Sequence, residues 1–345
     1  MTECANGSHR RKEQRERTDG PRSPNGAARR NPATGGWRAP RRKTPLSGIL
    51  NIDKPPGMTS HDVVDAVRRM AGQRKVGHAG TLDPMATGVL LLCLGQATRL
   101  AEYLMAGRKR YRAVIVLGAE TDTYDAEGRV LRSGGRTDFG REEIEAALRT
   151  FVGRIEQVPP LYSAIKRDGR PLYKLARQGR AVQPEPRPVE IDEIVLLAWE
   201  EPELTVEVTC SPGTYIRSLA HDLGRRLGSS AYLGALVRLR SGRFRLEDAV
   251  SLERLEEAFR HGQENRYLLP PDTALLDYPA LIVGERDARH IRHGRPVAKT
   301  YPRGAKHPLK DGMPARAYGP NGDFIAVMIY DAAADLWRPK KVFKS

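Results

Sequence analysis

Gly77–Gly88 reads GHAGTLDPMATG, and Val89–Leu94 behind it reads VLLLCL. The first stretch holds three glycines, a proline, a histidine and one carboxylate, Asp83. It follows neither a helical nor a strand period, so it reads as a loop. The six apolar residues after it read as a buried strand that anchors the loop. A carboxylate in such a place has three readings. It can cap a turn, as Asp before Pro commonly does. It can bind a metal, but His78 stands five residues away and no further Asp, Glu or His gathers near the two. It can serve as nucleophile or general base toward a ligand that Gly77, Gly80 and Gly88 let come close to the backbone. Loops carried on a rigid sheet are where such groups usually sit.

The elements on either side build an α+β body. Gly48 to Asp53 alternates as a short strand, and Pro55, Pro56 and Gly57 turn the chain. Thr59 or Ser60 caps a helix with Val63, Val64, Val67 and Met70 at helical spacing, which Gly72 stops. A second helix is expected from about Ala97 to Leu104. KRYRAVIVLGAETDT, from Lys109, is a strand with apolar residues on both faces, hence central in a sheet. YDAEGRVL turns it back, and REEIEAALRTFVG is a helix that Gly153 ends. PPLYSAIKRDGRPLYKLARQG predicts a strand, an RDGR turn and a short helix opened by Pro171. VEIDEIVLLAW and ELTVEVTC are strands. SPGTYIRSLAHDLGRRLG is a helix with Ile216, Leu219, Leu223 and Leu227 on one stripe. SLERLEEAF is another. From about Pro270 prolines and glycines crowd in, and only short strand-like pieces follow: ALIVG, PARAYG and DFIAVMIY. The expected fold class is therefore α+β, a large mixed or antiparallel sheet flanked by helices with a small β-rich C-terminal module.

The 345 residues include 58 Lys or Arg and 42 Asp or Glu, a net charge of +16. Residues 1–46 carry +8 of it, with too little apolar material to fold alone, so a disordered basic tail is expected there. Such a tail is either a solvated segment or a polyanion-binding arm. With the rest of the chain also basic, nucleic acid is favoured over an acidic protein partner. No apolar run is long enough to span a membrane and the start lacks a signal-peptide core, so a cytoplasmic protein is expected. Cys4, Cys93 and Cys210 form neither a metal-ligand pattern nor a disulfide framework. Cys93 and Cys210 read as small buried hydrophobes.

A lone Asp83 needs an organiser, and a carboxylate is held ionised and oriented by a bidentate arginine. Arg217 is a candidate at the edge of the apolar stripe of its helix, although spacing alone leaves it a solvated arginine. Tyr111 in KRYRA and Tyr215 in GTYIR are rings beside cations, either core aromatics or platforms for a base.

GHAGTLDPMATGVL, KRYRA and GTYIRSLAHDLG, in that order, closely resemble the three signatures of the TruB family of pseudouridine synthases. LNIDKPPGMTS and PPLYSAIKRDGRPLYKLARQG resemble the family too, and the likeness runs from about Gly48 to the C-terminus. It implies isomerisation of uridine to pseudouridine in RNA with no cofactor and no metal. For bacterial members it implies uridine 55 in the TΨC arm of tRNA, the base being flipped out to react. The catalytic residues it implies are Asp83, Tyr111 and Arg217. Asp83 is the essential carboxylate, Tyr111 stacks on the flipped base and serves the C5 proton transfer, and Arg217 pairs with Asp83. His78 would fill the space that the base vacates, and Tyr215 and Leu236 would line the pocket. Lys54 and Pro55, in the DKP motif, would support the catalytic loop, Lys54 being grouped with the substrate-binding residues. Residues 47–269 would form the catalytic domain and 270–345 a PUA-like RNA-binding domain. In that domain His290, His293 and Arg295 either touch the acceptor side of tRNA or are ordinary surface. The implied partner is tRNA, bound by a monomer with no membrane and no obligate protein partner. The plain family form does not need residues 1–46.

The sequence has three rival readings. A guide-RNA-dependent synthase of the archaeal and eukaryotic type shares the GHxGTLDP motif, but KRYRA and the PPLYSAIKRDGRPLYKLARQG block look like the stand-alone bacterial type. An RNA-binding protein without catalysis has no need of a carboxylate aimed at phosphates. A glycoside-hydrolase-like enzyme wants two catalytic carboxylates where the motif has one.

Overall fold

The computed structural model describes residues 44–162, 166–167, 170–171, 184–303 and 308–343. The expected tail lies outside them except for 44–46, and so does the helix expected after Pro171.

The strands of the first part run in the order β1 (Gly48–Lys54), β2 (Val76–His78), β3 (Thr87–Leu94), β4 (Lys109–Leu117), β5 (Ala119–Thr121), β6 (Val130–Ser133) and β7 (Gly153–Gln157). Next come the two-residue pieces β8 (Lys166–Arg167) and β9 (Arg170–Pro171), which pair antiparallel with each other. Then follow β10 (Arg187–Glu200), β11 (Glu203–Cys210), β12 (Ala231–Ser241), β13 (Phe244–Arg245) and β14 (Val250–Ser251). Ten of these make one mixed sheet with the path β14-β1-β3-β12-β4-β11-β10-β7, β2 lying on β3 and β13 on β12. As the double-faced apolar pattern of its sequence requires, β4 is central.

Helices α1 (Ser60–Ala71), α2 (Ala101–Ala106), α3 (Arg141–Arg149), α4 (Ile216–Arg226) and α5 (Leu252–Arg260) accompany this sheet. Thr59, not Ser60, caps α1, in a reciprocal box with Asp62, and Gly72 closes it in the left-handed conformation. This frees the Ser60 hydroxyl for another use, described below. The core beneath joins Val63, Val67 and Met70 of α1 to Leu90, Leu92 and Ile115 of the sheet and to Leu219 and Leu223 of α4.

A second sheet follows, made of β15 (Ala280–Ile282), β16 (Val297–Ala298), β17 (Pro314–Tyr318), β18 (Phe324–Asp331) and β19 (Leu336–Val342) in the order β15-β17-β18-β19-β16. Helix α6 (Glu285–Arg292) packs Ala288 and Ile291 on it beside the wholly buried Trp337. The sheet meets the first through α2. Lys341 pairs with Glu102 at 2.8 Å, and Phe343 packs with Leu100 and Leu275.

Four features differ from the reading above. The helix expected over Ala97–Leu104 is a 3₁₀ turn, Gly95–Leu100, followed by α2. Gly153 does not end α3, which stops at Arg149; with φ +103° it opens β7 instead. Strand β12 went unread because Arg238 and Arg240 interrupt its apolar alternation. Helix α6 went unread because only two of its eight residues are buried, and the rest are mostly charged.

Cys93 and Cys210 are both fully buried and unpaired, as expected, and burial pushes their thiols up to about 12 and about 11. Among the described residues no helix is long and apolar enough to cross a membrane.

Candidate active site

Strand register decides which side chains can meet. In an antiparallel pair, residues directly opposite one another lie on the same face. Tyr111 of β4 stands opposite Arg238 of β12, and Ala113 opposite Leu236. Lys109, Tyr111, Leu236 and Arg238 therefore share one face. Arg110 and Arg112 fall on the other, where both engage Glu207, Arg112 at 2.7 Å. The cations of KRYRA are thus turned away from the tyrosine between them.

The Asp83 loop crosses the face that carries Tyr111. Gly88 at its end has φ +93° and lies against β12, where a Cβ would come 2.4 Å from the Arg238 carbonyl oxygen. No other residue fits that approach, so the loop re-enters the sheet tightly. Its other end belongs to β2, so His78 lies at the end of a short strand opposite Leu92 rather than in the loop proper.

Three buried groups hold the loop from below. The Ser60 hydroxyl accepts from the Leu82 amide at 2.8 Å and donates to its carbonyl at 3.0 Å. The Lys54 ammonium donates to the Pro55 and Pro84 carbonyls at 2.8 and 3.1 Å. Lys54 is wholly enclosed, and burial brings its amine down to about 8. Lys54 thus lies beneath the Asp83 loop, tied to its backbone. The cost of burying the ammonium is offset by the two carbonyls it meets. Arg238 is the third group, with Nε donating to Val89, Nη1 to Thr81 and Nη2 to Gly80.

Above the loop, Arg217 projects from the first turn of α4. It is 5 % exposed, so the solvated reading left open by its spacing does not hold. Its Nη2 donates to Asp83 Oδ1 at 3.2 Å. Nε stands 3.0 Å from Oδ2, an ion contact off the line that a hydrogen bond needs. The grip is thus one hydrogen bond and one close charge contact. The same guanidinium donates to the Thr123 and Tyr162 carbonyls and lies 3.3 Å from Asp125 Oδ2. Asp125 is 4 % exposed and holds its neighbours Thr123 Oγ1 at 2.6 Å and the Glu127 amide at 3.1 Å. Sharing one cation between two carboxylates leaves each less firmly neutralised. Burial pushes the Asp83 carboxyl above its ordinary value, Arg217 pulls it back, and Asp125 adds to the rise.

Asp83, Tyr111, Tyr215, Arg217, Leu236 and Arg238 line one cavity of about 350 Å³, within the range of small-ligand sites. Tyr162 and Lys109 also reach it. Burial pushes the Tyr111 hydroxyl up, and the charge of Arg238 opposes the rise. Tyr215 opens α4, and its backbone exchanges two hydrogen bonds with the amide of the buried Gln157, at 2.8 and 3.0 Å. His78 and Lys54 are not on the cavity wall. His78 is half-buried, its Nδ1 has no hydrogen-bond partner among the described residues, and burial lowers its basicity. In the second sheet, His293 and Arg295 are exposed and His290 half-buried, all far in sequence from this cavity. Asp125, Gln157, Ser60 and Arg238 escaped the reading of the residues. Asp125 alone carried a signal, as an Asp in a turn beside a long strand.

A mixed sheet whose central strands face one carboxylate held by a buried arginine, with a tyrosine opposite, has the architecture of a pseudouridine synthase. Solved structures bear this out. A protein from a Cbf5-Nop10-Gar1 complex matches with a TM-score of 0.66 and 26% identity over 86% of this chain and 84% of its own. One from an H/ACA RNP bound to a substrate RNA containing 2′-deoxyuridine matches in fold with a TM-score of 0.66, over 91% of both chains. The profile of the TruB family pseudouridylate synthase N-terminal domain covers residues 68–216, and that of the tRNA pseudouridylate synthase B C-terminal domain covers 217–276. tRNA pseudouridine synthase B of Syntrophotalea carbinolica is 47% identical over 73% of this chain and 82% of its own. That of Pseudomonas fluorescens is 45% identical over 82% and 91%, and that of Geobacter sulfurreducens 43% over 85% and 95%. The chain belongs to the TruB family of pseudouridine synthases, and so is an isomerase.

Proposed function

We propose that the chain isomerises uridine 55 in the TΨC loop of tRNA to pseudouridine, with Asp83 as the essential catalytic residue. The observation that carries this reading is the cavity in which Asp83, gripped by Arg217, faces Tyr111 across space for a flipped base. The C1′–N1 bond breaks, the uracil turns, C5 bonds to C1′, and the C5 proton leaves. Asp83 supplies the carboxylate for the first step, as nucleophile or base. Arg217 orients it and the ring of Tyr111 stacks on the base; the Tyr111 phenol gives up its proton, N1 gains one, and the phenolate oxygen takes up the proton that leaves C5. His78, beside the loop, fills the gap left in the RNA; Tyr215 and Leu236 wall the pocket. No cofactor enters this scheme.

The domain reading places catalysis in residues 47–269 and an RNA-binding PUA-like unit in 270–345, with the protein acting as a monomer in the cytoplasm. The test is to incubate the purified protein with an unmodified tRNA transcript and map pseudouridine by base-specific chemical modification and primer extension. Pseudouridine at position 55 without any added RNA or protein is the expected result. No modification at that position, or modification only with a guide RNA, overturns the reading.

Tyr111→Phe keeps the ring and loses the hydroxyl. It is expected to bind tRNA nearly as well as wild type and to turn over about 10²-fold or more slowly, the scale of a lost proton-transfer group. Single-turnover rates at saturating enzyme measure this. Equal rates would reduce Tyr111 to a stacking platform.

Residues 1–46 hold +8 of the +16 charge and act as an arm on RNA phosphates. Deleting them should leave the single-turnover rate unchanged and flatten the salt dependence of binding. Each lost phosphate contact lowers the slope of log affinity against log salt by roughly 0.7–0.9. Identical slopes for the two forms would remove the arm, and a slower rate would show that the body from Gly48 onward is incomplete.

A further inference from the structure

Arg238 is among the largest wholly buried side chains, at 2 % exposure, and among the described residues it forms no ion pair. Its Nε donates to Val89 at 2.6 Å, Nη1 to Thr81 at 3.2 Å and Nη2 to Gly80 at 3.1 Å. These are carbonyls of the Asp83 loop and of the strand that follows it. A buried arginine ordinarily has a carboxylate, because a lone charge is costly to remove from water. Carbonyl dipoles compensate only in part, so the site keeps a net positive field. That field falls on the cavity, which Arg238 helps to line, and on Tyr111, its direct cross-strand neighbour on the same face. A guanidinium has five donors, and three carbonyls leave two N–H groups over. The backbone is equally tied. Arg238 is the residue that β12 places against Gly88 in the parallel pairing with β3, so side chain and main chain engage both ends of one loop.

We propose that Arg238 is a positioning residue for the isomerisation, acting through Tyr111: it fixes the Asp83 loop and holds the Tyr111 oxygen, stabilised as it exchanges a proton, against that loop. The proposal rests on the role given above to Tyr111. To take up the C5 proton Tyr111 must first lose its own, so its oxygen carries a phenolate charge in a site largely withdrawn from water. A fixed cation there needs no reorganisation to meet it. An uncharged residue in the same place would hold up the strand but not the reaction. A salt-bridged arginine would have its field cancelled by its partner, which is why the lack of a carboxylate bears on the chemistry.

The test is a double-mutant cycle of Arg238→Gln and Tyr111→Phe, read in single-turnover rate at saturating enzyme and, separately, in tRNA affinity. Arg238→Gln alone is expected to slow the step about 10²-fold, the scale of one lost electrostatic donor, with affinity nearly unchanged. In the Tyr111→Phe background the same substitution is expected to cost only a few-fold, since residues acting as a unit are not additive. Equal factors in both backgrounds, or a loss of affinity that accounts for the slower turnover, overturn the proposal and leave Arg238 a support of the fold. If the glutamine protein does not fold, Arg238→Lys takes its place. One ammonium keeps the charge but cannot span three carbonyls and the phenol, so its loss is expected to be smaller than that of glutamine and still coupled to Tyr111. Additive loss in that cycle overturns the proposal as well. A Tyr111→Phe protein at the wild-type rate would remove the role of Tyr111 and the proposal with it, whereas additivity removes the proposal alone.

Discussion

Asp83→Asn is expected to abolish pseudouridine formation while tRNA binding stays close to wild type. Amide and carboxylate have nearly the same shape, so the loop that Ser60, Lys54 and Arg238 hold through its backbone should keep its course. The contact to Arg217 survives as a single hydrogen bond from Nη2 to the amide oxygen. What is lost is the anion, and with it both nucleophile and base. Removal of such a group commonly costs on the order of 10⁴-fold or more, about 5 kcal/mol of transition-state stabilisation. A further consequence follows from the shared guanidinium. With Asp83 neutral, Arg217 is left to Asp125 alone, a tight pair 3.3 Å apart and almost fully buried. The variant should therefore remain folded, and its melting temperature should lie near that of wild type. Single-turnover pseudouridine formation and a filter-binding isotherm on one preparation check the claim. Near-normal turnover would end the assignment of Asp83.

Arg217→Lys has the second largest expected effect, a loss of about 10²- to 10³-fold in rate despite the conserved charge. The guanidinium is engaged at five places: twice at Asp83, once at Asp125, and at the Thr123 and Tyr162 carbonyls. An ammonium has three donors on one atom and cannot bridge partners that approach from opposite edges of a plane. At least two contacts go unmade, and charged hydrogen bonds are worth about 1.5–3 kcal/mol each. Part of this appears as lost orientation of Asp83 and part as stability, because Asp125 is buried and depends on the same cation. Rate and melting temperature should both fall. A lysine variant with full rate would show that the grip on Asp83 has no part in the reaction.

Much of this fold is written in local pattern. Strand β11 was delimited to the residue from ELTVEVTC, and α1 and α4 followed from stripes of Val and Leu. Those segments bury one face or a continuous run, and burial is what periodicity records. Strand β12, which was missed, carries charge on its buried face. Arg238 breaks the alternation of β12, yet it is among the most deeply buried residues of the chain. A charge inside the core is invisible to any rule that equates charge with surface, because what makes it tolerable is a set of carbonyls from another part of the chain.

By itself the sequence determined the class of the protein, the loop that carries its lone motif carboxylate, and the family whose signatures surround that loop. Residue type and spacing are local, and the chemistry of the GHAGTLDPMATG segment is largely a local matter of glycines and one acid. Only the tertiary structure decided that Arg217 is buried and divided between Asp83 and Asp125, positions 134 and 92 residues away in the chain. It alone turned Arg110 and Arg112 from the cavity toward Glu207, enclosed Lys54 beneath the loop, and set Arg238 beside Tyr111. Each of these follows from strand register, and register is a relation between distant segments: shifting a strand by one residue moves every side chain to the opposite face.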